Sequence, residues 1–210
     1  MVGSEKNTSS DHGVFGDCPP NSESAIAVNV EIKARLASLQ AAERIAQELA
    51  TDRLPDQHQI DTYFACRSGR LKLREIMGLS SELIWYERPD QLAAKQSHYV
   101  IAPVPQAAFV KQALAQSLGV LTVVEKRRQI HLFHSVRIHL DEVRDLGLFL
   151  EFEAVLDNGN ATAEGQQLVR QLLQRFQIAD EDLCPNSYSD MLLSAAESQS
   201  NTSSNTSSDT

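Results

Sequence analysis

In the string GRLKLRE, Arg70, Lys72 and Arg74 alternate with Leu71 and Leu73, which places three cations on one face of a strand, about 6.6–7 Å apart. Such a row repels itself unless anions lie opposite. The pattern recurs: VNVEIKAR sets Asn29, Glu31, Lys33 and Arg35 against Val28, Val30, Ile32 and Ala34. LIWYER adds Arg88 and Tyr86 on one face, EKRRQ adds Lys126 and Arg128, VRIHLDEV adds Arg137 and, four residues on, Asp141, and LFLEFE adds Glu151 and Glu153. The nine cations Lys33, Arg35, Arg70, Lys72, Arg74, Arg88, Lys126, Arg128 and Arg137 are nearly half of the 19 Lys and Arg in a chain of formal net charge −9. Positive field is therefore concentrated rather than spread over the surface. A single strand of this kind reads equally well as one wet face of an antiparallel sheet. Five or six together are best explained by a closed β-barrel with its charges inside.

Unpaired, that many buried cations would cost more than a domain's stability. Their natural partner is a mobile polyanion, and the planar fork of Arg suits phosphate. Neither GxxxxGK[ST] nor GxGxxG occurs, so side chains rather than a loop of backbone amides must hold the phosphates. Glu31, Glu151 and Glu153 fall on the same predicted interior, as oxygen ligands for Mg²⁺ or Mn²⁺ shared with substrate phosphates, or as counter-ions to Arg and Lys. His131, His134 and His139 carry less weight: the first two lie three apart on a strand and face opposite sides. Cys18, Cys66 and Cys184 are an odd set without CxxC spacing and give no metal or redox motif.

These residues need strands to carry them. Period-2 runs appear near 28–36, 61–66, 69–76, 83–88, 97–102, 120–127, 130–135, 136–143 and 148–156, and helical patterns at 38–50, 105–119 and 161–176. The fold class is α+β. Arg67-Ser68-Gly69-Arg70 reads as a tight turn between two strands. Residues 1–24 and 195–210 are polar and non-periodic and are expected to be disordered tails around one domain of residues 25–194. The acidic balance argues against a nucleic-acid binder, and the chain shows neither a spanning apolar run nor a leader pattern, so the expected setting is cytoplasmic, away from membranes. The number of subunits is not legible; a homodimer is compatible with the sequence.

The strings VEIKAR (30–35), DTYF (61–64), GRLKLRE (69–75), LIWYERPD (83–90), the KRR at 126–128, RIHLDEVRDLGLFLEFE (137–153) and SYSDML (187–192) together resemble the CYTH family, named for class IV adenylate cyclase and thiamine triphosphatase. The resemblance spans about residues 27–193 and is nearest the adenylate cyclase branch. It implies an eight-stranded antiparallel tunnel, a triphosphate held by interior Lys and Arg, and a divalent metal on acidic residues. It carries Glu31 and Lys33 over from an ExExK signature and Glu151 and Glu153 from the acidic C-terminal strand. Lys33, Arg137 and Asp141 are the residues expected to act in catalysis. The signature's first Glu is Asn29 here, which puts a second metal in doubt. Three activities fit: cyclisation of ATP to cyclic AMP and pyrophosphate; hydrolysis of tripolyphosphate, thiamine triphosphate or a nucleoside triphosphate; and non-catalytic sensing of polyphosphate or nucleotide.

Overall fold

The alternating strings fold into eight antiparallel strands that curl around a tunnel, with helices packed against the outside of the sheet. The structure is a computed structural model and describes residues 27–87, 95–156 and 162–205. In chain order the elements are β1 (Ala27–Arg35), α1 (Leu39–Leu49), β2 (Asp52–Phe64), β3 (Arg70–Ile76), β4 (Ser80–Glu87) and β5 (Lys95–Pro103). There follow α2 (Ala107–Leu118), β6 (Val120–Phe133), β7 (Val136–Val143), β8 (Gly147–Leu156), α3 (Thr162–Arg175), a 3₁₀ turn (Asp180–Asp182) and α4 (Tyr188–Asn205). Hydrogen bonding runs β1-β5-β4-β3-β2-β6-β7-β8, and β8 pairs back to β1 through Glu31↔Glu153 and Lys33↔Glu151. No helix among the described residues is long and apolar enough to cross a membrane.

Alternation decides which side chains enter the tunnel. On β1, β7 and β8 the outward residues Ile32, Ile138, Leu140, Leu150, Phe152 and Ala154 are buried against Ala42 and Ala46 of α1, Val169 and Leu172 of α3, and Phe176 just past its end. Phe152 and Phe176 meet edge to face at 5.3 Å. Full burial of each large apolar side chain contributes about 1.5–3 kcal/mol, so this outer core holds the sheet's curvature while its inner face stays free for charge. Helix α1 starts where Ser38 Oγ accepts from the Ala41 amide at 3.3 Å, an N-cap that replaces one missing intrahelical bond. Gly69 stands at φ +67°, and a Cβ there would lie 2.7 Å from the Tyr86 carbonyl oxygen, so the β2–β3 connection requires glycine.

Three elements depart from the sequence pattern. The runs at 120–127 and 130–135 are one strand, β6, whose inward alternation continues unbroken through Lys126, Arg128 and Ile130. Strand β2 begins at Asp52, earlier than its apolar pattern suggests, because an irregularity between Leu54 and Gln57 breaks the alternation. Helix α4 reaches Asn205, past the point where composition reads as tail. Its start is a reciprocal cap: Ser187 Oγ accepts from the Asp190 amide at 3.1 Å, and the Asp190 carboxylate accepts from the Ser187 amide at 3.0 Å. The predicted tail at 1–24 lies outside the described residues.

Candidate active site

The inner face encloses a cavity of about 480 Å³ lined by Lys33, Lys72, Arg74, Lys126, Arg128 and Arg137 among the cations and Glu31, Glu82, Glu151 and Glu153 among the acids. Strands β4 and β5 add an apolar strip, Ile84, Tyr86, Tyr99 and Ile101. The parity of each strand explains the gathering: Lys72 and Arg74 are two apart on β3, Lys126 and Arg128 two apart on β6, and Glu151 and Glu153 two apart on β8.

The cations are not waiting unpaired. Asp61 on β2, 1% exposed, accepts from Arg74 Nε at 2.8 Å and Nη2 at 2.9 Å, from Lys72 Nζ at 2.9 Å and from Lys126 Nζ at 3.3 Å. Asp141 on β7 takes Arg128 in a two-toothed pair at 2.7 and 2.6 Å and accepts the Tyr188 hydroxyl at 2.8 Å. Glu151 bonds Lys33 and lies 3.6 Å from Arg128 Nη2, and Glu153 lies 3.5 Å from Arg137 Nη1. Tyrosine rings interleave with the ammonium groups: Lys33 Nζ is 4.2 Å and Lys126 Nζ 5.5 Å from the Tyr188 ring centre, and Lys72 Nζ is 5.5 Å from both Tyr63 and Tyr86.

This packing resets the ionisation of the wall. Burial lowers the Lys126 ammonium to about 7, with Asp61 resisting, and lowers Lys72 to about 8, with the Arg74 charge adding to the effect. Burial alone would raise the Asp61 carboxyl, but Arg74, Lys126 and Lys72 together hold it well below the usual range. Burial likewise opposes ionisation of Glu151, and Lys33 and Arg128 overcome it, so this group too sits well below the ordinary value. The buried imidazole of His139 is pushed down by desolvation and by Arg128, against the pull of Glu151 and Glu153.

Of the residues predicted from sequence, Glu31, Lys33, Lys72, Arg74, Lys126, Arg128, Arg137, Glu151 and Glu153 are brought together on the cavity wall. Three others are not. Arg35 is exposed, bonded to the Leu146 carbonyl at 3.3 Å and stacked 5.1 Å over Phe149. Arg70 pairs with Asp190 at 2.8 Å at the start of α4. Asp141 stands behind the wall, fully engaged by Arg128 and Tyr188. Arg88 lies outside the described residues, and the side chain of Asn29 is not among those described. Sequence reasoning missed Asp61, Tyr63 and Tyr188, and gave His139, which lines the cavity, little weight. The string DTYF carried a signal, since its period puts Asp61 and Tyr63 on one face in register with Arg74 and Lys72.

Among the described residues, no three His, Cys, Asp or Glu side chains already converge as a metal site. Glu31 and Glu153 face one another in register across β1 and β8, and His139, which lines the same cavity, has a buried Nδ1 without a hydrogen-bond partner. Oxygen donors beside an orphaned imidazole fit a divalent ion whose remaining ligands come from substrate phosphate and water.

A CYTH domain family model matches residues 27–188. The fold is similar to that of a protein from Pyrococcus horikoshii OT3 (TM-score 0.68, 24% identity, covering 77% of this chain and 98% of that one). It is also similar to a conserved hypothetical protein from Pyrococcus furiosus (TM-score 0.67, 18% identity, 77% and 98%). A third similar structure, from Vibrio parahaemolyticus, is described as a candidate adenylate cyclase (TM-score 0.65, 20% identity, 78% and 97%). No curated protein matches the chain.

Proposed function

The chain belongs to the CYTH domain family, and from that premise we propose that it is a divalent-metal-dependent enzyme that holds a triphosphate-bearing small molecule in its tunnel and promotes attack at phosphorus. The observation that carries this reading is the enclosure of six cations with an acidic pair on one inner wall. Guanidinium and ammonium groups fixed in a low-dielectric cavity stabilise phosphoryl charge that builds up during transfer, without reorganising. Lys33, Lys72, Arg74, Lys126, Arg128 and Arg137 are assigned to the phosphates. Asp141 acts at one remove, by fixing the Arg128 fork and the Tyr188 hydroxyl.

Charge balance supports the metal. Among the described residues, six lining cations are matched by four lining carboxylates and by Asp61 and Asp141 behind them, so this part of the wall is close to neutral before substrate arrives. A triphosphate adds negative charge that these side chains cannot balance alone. Mg²⁺ or Mn²⁺ held by Glu31 and Glu153 would supply the missing positive charge and polarise phosphoryl oxygens. Glu151, already bonded to Lys33 and beside Arg128, is better placed to orient those cations than to ligate.

The apolar strip of Ile84, Tyr86, Tyr99 and Ile101 favours a substrate with an organic moiety over bare tripolyphosphate. The reaction proposed first is therefore that of an adenylate cyclase: the ribose 3′ hydroxyl of ATP attacks the α-phosphorus and pyrophosphate leaves. The test is product analysis with ATP and with tripolyphosphate, each with and without Mg²⁺ or Mn²⁺. Cyclic AMP with pyrophosphate supports the cyclase. Orthophosphate replaces it with a hydrolase, and binding without turnover replaces both with a sensor.

A further inference from the structure

The imidazole of His139 lies between two carboxylates without bonding either. It is 3% exposed, its Nδ1 stands 3.7 Å from Glu151 Oε1, and its Nε2 stands 3.8 Å from Glu153 Oε2. Both distances exceed hydrogen-bond reach, and a buried nitrogen left unpaired is costly unless something else satisfies it. The surroundings give the two nitrogens different neighbours. Glu151 is already anchored by Lys33 and Arg128 and faces His139 directly across β7 and β8, so it is a fixed acceptor for an Nδ1 proton. On the other side, Glu153 belongs to the acidic pair on the cavity wall and stands in register with Glu31.

Carboxylate, then imidazole, then an oxygen donor on the far side is the arrangement in which a histidine gives one ring proton to an outer carboxylate and turns its other nitrogen to a metal. We propose that His139 Nε2 is a direct ligand of the divalent metal together with Glu153, with Glu151 as the outer carboxylate that fixes its tautomer, and that this nitrogen makes the site prefer Mn²⁺ or a later transition ion to Mg²⁺. The inference rests on the reading of the tunnel as a triphosphate–metal site. Adjacent ligands about 2.1–2.2 Å from a metal stand about 3 Å apart, so the present 3.8 Å separation closes by less than an ångström of side-chain rotation. His139 joins Glu31 and Glu153 only after that rotation, with phosphate and water completing the shell, in keeping with the lack of a ready-made three-residue cluster among the described residues. Imidazole nitrogen is a poor ligand for Mg²⁺ and a good one for transition ions, whose affinity for such donors exceeds that of Mg²⁺.

The experiment is pulsed electron paramagnetic resonance of Mn²⁺ bound to the full chain with a triphosphate whose two bridging oxygens are replaced by methylene groups. That ligand contains no nitrogen and cannot be hydrolysed at the bridges. Modulation from a directly bound ¹⁴N is expected in the unmodified protein. It should vanish in His139→Gln, with Mn²⁺ affinity falling about tenfold or more and Mg²⁺ affinity changing less than about twofold. Mn²⁺ that binds with the triphosphate but shows no ¹⁴N coupling overturns the ligand assignment and leaves the metal-enzyme reading standing. Coupling that persists in His139→Gln overturns it as well. Absence of any Mn²⁺ binding alongside the triphosphate overturns both. The measurement on the unmodified protein decides the matter even where the variant folds poorly.

Discussion

Asp61 is the residue whose removal has the clearest consequence. It is the shared acceptor of Lys72, Arg74 and Lys126, and without it three cations face one another across a cavity with no fixed counter-charge. In Asp61→Asn the neutral amide leaves buried cations uncompensated, a change that typically costs about 3–5 kcal/mol. A triphosphate supplies the missing charge to the same cations. Ligand-free Asp61→Asn is therefore expected to melt well below the unmodified protein, yet to gain more in melting temperature on adding tripolyphosphate. Thermal unfolding with and without ligand checks both halves. Equal ligand-induced gains in the two proteins would show that Asp61 and the phosphates do not share partners. The role of Asp61 is not visible in the sequence. An isolated acid in Asp-Thr-Tyr-Phe has no paired carboxylate to announce it, and its meaning appears only when β2 is set in register beside β3 and β6.

Among the elements, α4 brings Tyr188 of its first turn, and Ser187 just before it, onto the tunnel wall. Tyr188 packs edge to face on Phe149 at 4.9 Å, lies against Lys33 and Lys126, and reaches Asp141, while Asp190 receives Arg70. Tyr188→Phe keeps the ring contacts and deletes only the hydroxyl that Asp141 accepts, a hydrogen bond to a charged group contributing about 1.5–3 kcal/mol. The urea midpoint should fall accordingly with an unchanged denaturant slope, since no additional surface is exposed. A midpoint within error of the unmodified protein would mean that water replaces the hydroxyl and that the ring alone seats the helix. This helix was hidden by composition, because its Ser- and Asn-rich body has weak helix propensity. The Ser-x-x-Asp at 187–190 was nonetheless a legible capping signal. The strands show the opposite balance. Period-2 alternation assigned the inward faces of β1, β3, β6, β7 and β8 correctly because side-chain direction in a strand is local. It could not give height along the tunnel. Arg35 and Arg70 share the inward parity but are the last residue of β1 and the first of β3, where Leu146 and Asp190 take them.

For the whole molecule, the internal lysines link pH to stability and to binding with opposite signs. Lys126 at about 7 and Lys72 at about 8 lie below the ordinary lysine value in the folded protein. Between about pH 7 and 10 the unfolded chain therefore binds more protons than the native one, and native stability rises with pH across that window. Asp61 and Glu151 act at the other extreme: depressed below the ordinary carboxylate value, they contribute stability that is lost as pH falls through their folded values in strong acid. A polyanion prefers the protonated lysines, so triphosphate binding above pH 7 must draw protons from solvent. Ligand-free protein is expected to gain about 1–3 kcal/mol from pH 7 to 9, while metal-free tripolyphosphate affinity falls by more than about tenfold over the same interval. Calorimetric titration at pH 8 in buffers of different ionisation enthalpy should report net proton uptake. In Lys126→Met, which cannot titrate, the uptake and the rise in stability should both shrink. Binding enthalpies independent of buffer would show that both lysines stay protonated in the empty tunnel, and that its carboxylates outweigh burial.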